Sequence, residues 1–356
     1  LRRQRQMCIR DRCEIVDLRE ELRRGNRSML SGRLQEEIAL RLERGEQTML
    51  FLNRRGMMGF LSCRACGHVI KCPHCDVSLS LHRNGRLRCH YCGYETQSPK
   101  VCPSCGSGYI GSFRAGTQKI EEIVKKRYPE ARVLRMDTDT TKGKDGHQKI
   151  LAAFANREAD ILVGTQMIVK GHDFPDVTLV GILAADLSLN AGDYRSAERT
   201  FQLLTQAAGR AGRGEKPGRV LIQTYQPDHY SIVAASHQNY MEFYRREIWY
   251  RQMMAYPPAA HMLVVQVTSP KEEDADQTAT RLAQVVARQE EEYAVMGPTD
   301  AAIKKISDIY RKAIYIKARE YEKLTDLMRR LEESFSETVA GSQTHVWFDF
   351  DPMSGF

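Results

Sequence analysis

The feature that most constrains the fold of this chain is a group of four C-x-x-C pairs in one short segment. A C-x-x-C turn directs two sulfurs to one side, and two such turns complete a tetrahedral site of four thiolates around zinc. Four pairs therefore predict two closed Zn²⁺ sites of the structural type. The predicted metal ligands are Cys63, Cys66, Cys72, Cys75, Cys89, Cys92, Cys102 and Cys105.

The residues between the second and third pairs indicate which cysteines share an ion. Four turns can be joined two by two in three ways. Residues 77–87 alternate apolar and polar side chains and contain Asn84-Gly85, a strong hairpin-turn signal. Because a hairpin brings its ends together, we predict a nested pairing. The inner site takes Cys72, Cys75, Cys89 and Cys92, and the outer site takes Cys63, Cys66, Cys102 and Cys105.

On both sides of the cysteine segment, helical and strand patterns alternate. Residues 31–45 have a Ser cap, apolar residues at four-residue spacing and a final Gly, which predicts an amphipathic helix. Short apolar runs of the kind found in buried parallel strands follow. This alternation predicts an α/β fold with a doubly wound parallel sheet. The predicted strands are 48–52, 131–136, 160–164, 177–183 and 220–224, and the predicted helices are 117–127, 147–154 and 197–208.

A second pattern follows the break at Tyr256-Pro257-Pro258. The order of predicted elements there is βαββαβ, a split βαβ arrangement that indicates a small α+β C-terminal domain. Its predicted elements are a strand at 261–268, a helix at 273–288, two strands across 296–317, a helix at 321–335 and a strand at 346–350.

These patterns divide the chain into five predicted segments. Residues 1–12 resemble translated adapter sequence and are expected to be non-native. Residues 13–62 hold a linker, a helix and the first strand of the α/β lobe, and residues 63–106 hold the two-zinc insertion. Residues 107–236 complete the lobe, and residues 237–356 form the C-terminal domain.

Composition excludes few functions. The content of 42% hydrophobic and 28% charged residues is ordinary for a globular protein. The formal net charge of +8 permits a polyanionic partner without requiring one. No apolar run approaches the ~20 residues that span a bilayer, and no signal-peptide pattern is present. We therefore predict a cytoplasmic protein with no membrane partner.

The segment from Gln206 to Arg213 reads QxxGRxGR at the end of a predicted helix. It resembles motif VI of superfamily 2 helicases and translocases. Guanidinium groups delivered from a second lobe stabilise the charge that develops on the γ-phosphate oxygens during phosphoryl transfer. The resemblance implies catalytic roles for Arg210, Arg213 and Gln206, and a place for Gly209 beside the nucleotide.

The sequence GTQMIVKGHDFP from Gly164 to Pro175 resembles motif V of the same superfamily. The resemblance implies that Gly171 and Asp173 lie near the nucleotide and that Thr165 and Lys170 contact DNA.

Two further segments suggest contacts with DNA. Thr117 begins a predicted helix, and as an N-cap it would leave free amides that can hold a backbone phosphate. Capping alone would also explain this threonine. Arg54 and Arg55 follow a strand, at the edge where open α/β sheets place ligand contacts.

Taken in order, NRRG, the eight cysteines, GTQK, GTQMIVKGHDFP, DYRSAER and QAAGRAGR resemble the PriA family, also called primosomal protein N-prime. The resemblance covers residues 13–356 and implies a RecA-like second helicase lobe with an inserted two-zinc module. It also implies an ATP-dependent 3′-to-5′ DNA helicase that recognises stalled forks, restarts replication and begins primosome assembly at the nucleoid. The implied partners are forked and single-stranded DNA, single-stranded-DNA-binding protein and other primosome proteins.

The sequence contains no G-x-x-x-x-G-K-[ST] motif and no DEAH-type acidic box. ATP and Mg²⁺ are therefore expected to bind a first lobe in the intact protein, of which this chain would be the C-terminal two thirds. We expect the chain alone not to hydrolyse ATP. Two alternatives remain. One is a zinc-ribbon nucleic-acid adaptor without motor activity, and the other is a different superfamily 2 translocase, which should lack the eight cysteines.

Overall fold

The computed structural model of this 356-residue chain describes residues 13–52, 59–82, 84–112, 116–137, 139–141, 146–169, 174–190, 192–214, 216–289, 293–336 and 343–353. These residues form two compact units. The lobe unit contains the described residues within 13–69, 99–191 and 195–244, and the C-terminal unit contains those within 70–98, 192–194 and 245–353. The inner half of the cysteine segment thus groups with the C-terminal residues.

The strands are β1 (Cys13–Asp17), β2 (Gln47–Leu52), β3 (Gly59–Cys63), β4 (Ser80–Leu81), β5 (Arg86–Arg88), β6 (Glu95–Gln97), β7 (Ile110–Ser112), β8 (Val133–Met136), β9 (Ile161–Gly164), β10 (Val177–Leu183), β11 (Arg219–Thr224), β12 (His261–Ser269), β13 (Ala294–Ile306), β14 (Ile309–Ala318) and β15 (His345–Phe350). The helices are α1 (Leu18–Arg23), α2 (Gly32–Glu43), α3 (Thr117–Arg127), α4 (Gly146–Ala155), α5 (Asp186–Leu189), α6 (Ser196–Ala208), α7 (Tyr230–Ser236), α8 (Tyr240–Met253), α9 (Glu272–Ala287) and α10 (Tyr321–Ser336). A short 3-10 helix spans Gln166–Val169.

A six-stranded parallel sheet forms the centre of the lobe unit. Its strand order is β1-β11-β10-β2-β9-β8, and every pair runs parallel. All residues of β2 and β10 are buried, as expected for strands that are covered on both faces. One apolar cluster includes Phe51, Phe154 and Phe201, and another includes Leu34 and Leu50. The predicted doubly wound sheet is confirmed.

Helix α2 shows how the sequence determines the elements of this unit. The hydroxyl of Ser31 accepts a hydrogen bond from the Leu34 amide at 3.2 Å, which satisfies one of the free donors at the helix start. Leu34 and Ile38, one helical turn apart, are fully buried. Gly45, with a φ of +62°, follows the end of the helix. The cap, the apolar face and the stop are those predicted from the sequence.

The C-terminal unit contains the predicted βαββαβ domain. Strands β12 to β15 form an antiparallel sheet in the order β13-β14-β12-β15. Leu263 and Ile314 from the sheet pack with Leu282 of α9 and Leu327 of α10 in one buried cluster. The two helices therefore cover the same sheet face, and the predicted α+β arrangement is confirmed.

The structure also contains elements that the sequence did not predict. Strand β1 adds to the edge of the parallel sheet, where it pairs with β11. Helices α7 and α8 lie between β11 and the Tyr256-Pro257-Pro258 segment. Helix α8 distributes its aromatic and charged residues around the whole helix, so the sequence shows no apolar stripe by which it could be recognised.

Candidate functional site

The four C-x-x-C turns share one local backbone geometry. In each turn, the carbonyl of the first cysteine accepts a hydrogen bond from the amide four residues later, at 2.8 to 3.0 Å. That later residue has a positive φ, which favours glycine. The four residues are Gly67 at +77°, Asp76 at +52°, Gly93 at +77° and Gly106 at +70°. This geometry curls each turn so that its two sulfurs point to the same side.

The sulfurs of Cys63, Cys66, Cys102 and Cys105 all lie within 4.8 Å of one another. Both Cys63 Sγ to Cys105 Sγ and Cys66 Sγ to Cys102 Sγ measure 3.7 Å. A zinc ion with Zn–S bonds of about 2.3 Å holds its sulfurs roughly 3.8 Å apart, whereas a disulfide would place them at about 2 Å. The donor set and the spacing fit a tetrahedral zinc ion.

The second set consists of Cys72, Cys75, Cys89 and Cys92, whose sulfurs also lie within 4.8 Å of one another. Cys72 Sγ and Cys92 Sγ are 3.5 Å apart. The hairpin that the sequence predicts is present, with β4 and β5 antiparallel and Gly85 at a φ of +77°. The grouping of the eight cysteines is the one that this hairpin predicts.

The electrostatics of both sets favour a bound cation. Burial raises the pKa of Cys72 to about 12. Burial raises the pKa of Cys66 to about 12 as well. Hydrogen bonds from neighbouring groups instead lower the pKa of Cys89 to about 5 and that of Cys102 to about 7. Each set therefore mixes thiols that resist ionisation with one that ionises readily, and a divalent ion would stabilise all four as thiolates. The two groups of four cysteines fit two zinc ions.

Thr165, one of the predicted DNA contacts, lies at the carboxyl edge of the parallel sheet. Strands β8 and β9 are in register at Met136 and Gly164. Thr165 therefore follows the end of β9 beside the end of β8. Arg54 and Arg55 come two and three residues after the end of β2, which pairs with β9, but they lie outside the described residues.

Thr117 does not cap α3, contrary to the sequence prediction. Gly116 occupies the N-cap position, and Thr117 is the first helical residue. The Thr117 hydroxyl instead donates a hydrogen bond to Asp137 Oδ2 at 2.5 Å. The prediction failed because Asp137 lies beyond the next strand, β8, and local sequence gives no sign of this pairing. The bond holds the start of α3 beside the carboxyl edge of the sheet.

The predicted arginine pair lies at the opposite, amino edge of the sheet. Helix α6 ends at Ala208, and the chain then turns so that the Gly212 amide donates to the carbonyl of Val177, the first residue of β10, at 3.0 Å. The Arg213 Nε donates to the Gly209 carbonyl at 2.9 Å. Arg213 is exposed and Arg210 is half-buried.

The loop after α6 also packs closely on the chain that leads into β10. A Cβ added to Gly214 would lie 2.5 Å from the Pro175 carbonyl oxygen, so the two backbones are in contact. Pro175 ends the segment that resembles motif V. The structure thus brings the end of that segment to the QxxGRxGR loop. Gln206, one turn earlier, is exposed. Lys170, Gly171 and Asp173 lie outside the described residues.

One buried carboxylate was missed by the sequence reading. Asp186, at the start of α5, accepts hydrogen bonds from Thr224 Oγ1 at 2.9 Å and from the Tyr225 amide at 3.0 Å. Burial raises its pKa to about 6. These bonds join the carboxyl ends of β10 and β11. A single aspartate after a strand carries no signal that would have identified it.

Three family models match separate parts of the chain. Residues 110–215 match the helicase conserved C-terminal domain, which includes Thr165, Arg210 and Arg213. Residues 72–96, which span the inner cysteine set, match the PriA DNA helicase Cys-rich region domain. Residues 252–353 match the primosomal protein N C-terminal domain.

The chain matches the PriA family.

Named relatives agree with the family models. The chain is 47% identical to the replication restart protein PriA of Bacillus subtilis over 95% of its own length and 42% of the relative. It is 43% identical to that of Synechocystis over 96% of the chain and 41% of the relative. The chain thus spans less than half of these two PriA proteins, a smaller share than the two thirds expected from sequence.

Two solved structures resemble the chain only weakly. The Hef helicase domain of Pyrococcus furiosus is 21% identical with a TM-score of 0.26, over 54% of this chain and 25% of that one. The C-terminal part of the Fun30 ATPase domain is 13% identical with a TM-score of 0.28, over 64% of this chain and 55% of that one. The RecA-like assignment therefore rests on the helicase C-terminal family match and the parallel sheet.

None of the helices in the described part of the chain has the length and apolar character to cross a bilayer.

Proposed function

We propose that this chain supplies the second motor lobe, the two-zinc module and the C-terminal domain of an ATP-dependent 3′-to-5′ DNA helicase of replication restart. The intact protein would recognise stalled forks, bind single-stranded-DNA-binding protein and other primosome proteins, and start primosome assembly at the nucleoid. The observation that carries this proposal is the contact between the Arg210–Arg213 loop and the segment leading into β10. It brings the QxxGRxGR loop to the end of the segment that resembles motif V.

The chemistry follows from the position of the guanidinium groups. A lobe contributed by the rest of the protein would hold ATP and Mg²⁺, because the present sequence contains no phosphate-binding loop. When the lobes close, Arg210 and Arg213 would approach the γ-phosphate and stabilise its developing charge. Gln206 and Gly209 would line the same cleft, with Gly171 and Asp173 beside the nucleotide. Hydrolysis would thereby be coupled to closure.

The opposite edge of the sheet suits a nucleic-acid strand. The start of α3 at Thr117 presents backbone amides there, Thr165 lies at the same edge, and Arg54, Arg55 and Lys170 would add positive charge. Such groups contact phosphates and carry no base preference. With DNA at one edge of the sheet and the nucleotide at the other, movement of the lobe would advance the DNA strand during each cycle of ATP hydrolysis.

Replacing either arginine tests the motor function. We expect Arg210→Ala or Arg213→Ala, made in the intact protein, to reduce DNA-stimulated ATP hydrolysis on the order of 10³-fold while binding to forked DNA survives. Phosphate release and the fluorescence anisotropy of a labelled fork measure the two properties.

Arg44→Ala is the matched control, since Arg44 is an exposed arginine of the same unit that follows α2. It should leave turnover unchanged. Normal ATP hydrolysis in both motif variants would remove the proposed role of the pair and favour a nucleic-acid adaptor without motor activity.

A further inference from the structure

We propose that the inner zinc site is a structural part of the C-terminal domain, so that the two zinc ions stabilise different halves of the molecule. The inner site would hold β13 and β14 in place, whereas the outer site would support the lobe unit. This inference does not depend on helicase activity. It rests on contacts of the inner hairpin within the C-terminal unit.

The first contact is made by a zinc-ligand residue itself. The carbonyl of Cys75 accepts a hydrogen bond from the Tyr256 hydroxyl at 3.2 Å. The sulfur of Cys75 lies 3.7 Å from the sulfur of Met296 in β13. Tyr256 is fully buried, so loss of this bond would leave its hydroxyl without a partner away from water. A fixed Cys72–Cys75 turn therefore stabilises the position of Tyr256.

The second contact involves one of the two residues between the other two inner ligands. Tyr91, in the Cys89–Cys92 turn, is buried and packs edge-on against Tyr315 of β14, with the ring centroids 4.7 Å apart. Aromatic pairs of this geometry add about 0.5–1.5 kcal/mol beyond the area they bury. Because both flanking cysteines bind the same ion, zinc fixes the backbone that aims this ring at the sheet.

The third contact is a charge network beside Cys89. Arg88 donates to Asp300 Oδ2 at 2.8 Å, and Lys312 of β14 lies 2.9 Å from Asp300 Oδ1. Burial by itself would raise the pKa of Asp300, but the bonds from Lys312 and Arg88 outweigh it, and the pKa is lowered. Asp300 therefore remains charged and joins the hairpin to two strands. A partly buried network of this kind contributes much less to stability when one member moves.

The outer site is connected elsewhere. The amide of Arg64, next to Cys63, donates to the Tyr109 carbonyl at 2.9 Å. A Cβ at Gly67, next to Cys66, would lie 2.2 Å from the carbonyl oxygen of Tyr225, just after β11. The outer turns thus pack on the lobe unit at the end of one of its central strands. The inner cysteine set therefore makes its contacts within the C-terminal unit, and the outer set makes its contacts within the lobe unit.

Matched ligand variants test the inference on the full chain. Cys92→Ser and Cys66→Ser each remove one half-buried ligand, the first from the inner site and the second from the outer. Hydrogen exchange read by mass spectrometry should show Cys92→Ser speeding exchange in β13 and β14 by about tenfold or more, with β2 and β10 unchanged. In Cys66→Ser, β13 and β14 should keep the exchange rates of the unaltered chain. Bound zinc, counted by native mass spectrometry, should fall from two ions to one in each variant.

A second pair of variants leaves all ligands in place. Arg88→Met should speed exchange in β14 with two zinc ions still bound, whereas Arg86→Met, whose exposed side chain pairs with Glu95 at 3.2 Å, should not. If Cys92→Ser does not fold, Arg88→Met and its control Arg86→Met test the inference. Unchanged exchange of β14 in both Cys92→Ser and Arg88→Met, or equal acceleration in Cys66→Ser, would overturn the inference.

Discussion

Gly212 shows how a single residue sets the geometry of the arginine loop. Its φ is +67°, and an added Cβ would lie 2.5 Å from the Gly218 amide nitrogen. Gly209, three residues earlier, has a φ of −66°, and an added Cβ would meet its nearest neighbour at 3.4 Å. Both are glycines of the same motif, yet only Gly212 has a backbone that excludes a side chain.

These two positions therefore predict opposite outcomes. We expect Gly212→Ala to lower the free energy of unfolding of the lobe by about 1–3 kcal/mol, because alanine is strained at this φ and clashes with Gly218. Gly209→Ala should change it by less than about 1 kcal/mol, since alanine suits a helix end. Urea denaturation followed by circular dichroism measures both. An equal decrease in the free energy of unfolding for both variants would show that the loop does not require glycine at position 212.

At the residue level, the sequence predicts those features that depend on neighbouring residues in the chain. The C-x-x-C pairs and the Asn84-Gly85 turn fixed the arrangement of the cysteines, because a hairpin is decided by neighbouring residues. The partner of Thr117 could not be predicted, since Asp137 comes from a different element. Asp186 was missed for the same reason.

Among the segments between elements, the one before α6 contains a buried aromatic ring. Tyr194, two residues before α6, is buried, and its ring stacks on Tyr256 with centroids 4.8 Å apart and planes at 5°. The Arg251 guanidinium lies 5.3 Å from the Tyr194 ring centroid, and the Tyr194 hydroxyl donates to the Pro352 carbonyl at 3.3 Å. The ring thus contributes far more than the hydroxyl to this packing.

Two substitutions at Tyr194 separate these contributions. Tyr194→Ala should lower the free energy of unfolding of the C-terminal unit by about 3–5 kcal/mol, because it removes a buried ring and leaves a cavity. Tyr194→Phe keeps the ring and should cost about 1 kcal/mol for the lost hydrogen bond. Thermal and urea unfolding of the two variants provide the comparison. A similar cost for both would mean that the hydroxyl, and not the stack, stabilises this region.

Elements with a strong pattern were predicted almost to the residue. Helix α3 and strand β10 have the predicted bounds, since a clear apolar face or a continuous apolar run identifies each. Helices α7 and α8 were missed. Helix α8 has no single apolar face, and it is recognised only through the packing of residues such as Phe243 against Phe201. Tertiary contacts, and not local pattern, determine such an element.

For the whole molecule, the cysteine count predicts how many thiols become reactive when the zinc ions are removed. The chain has ten cysteines, of which eight form the two metal sets. Burial raises the pKa of Cys13 to about 12, so its thiol should react slowly while the protein is folded. A strong zinc chelator should release two ions per chain and make eight further thiols reactive. Zinc release and thiol modification can be followed together by absorbance, and release of one ion or none would contradict the two-site assignment.

The nested order of the ligands also has a consequence for how the metals are acquired during synthesis. Cys72 and Cys92 are 20 residues apart, whereas Cys63 and Cys105 are 42 apart. Closing the longer loop costs about 0.6 kcal/mol more chain entropy, and its last ligand leaves the ribosome later. The inner ion can therefore be captured while β13 and β14 are still untranslated, and it would offer the nascent C-terminal sheet a surface that is already ordered.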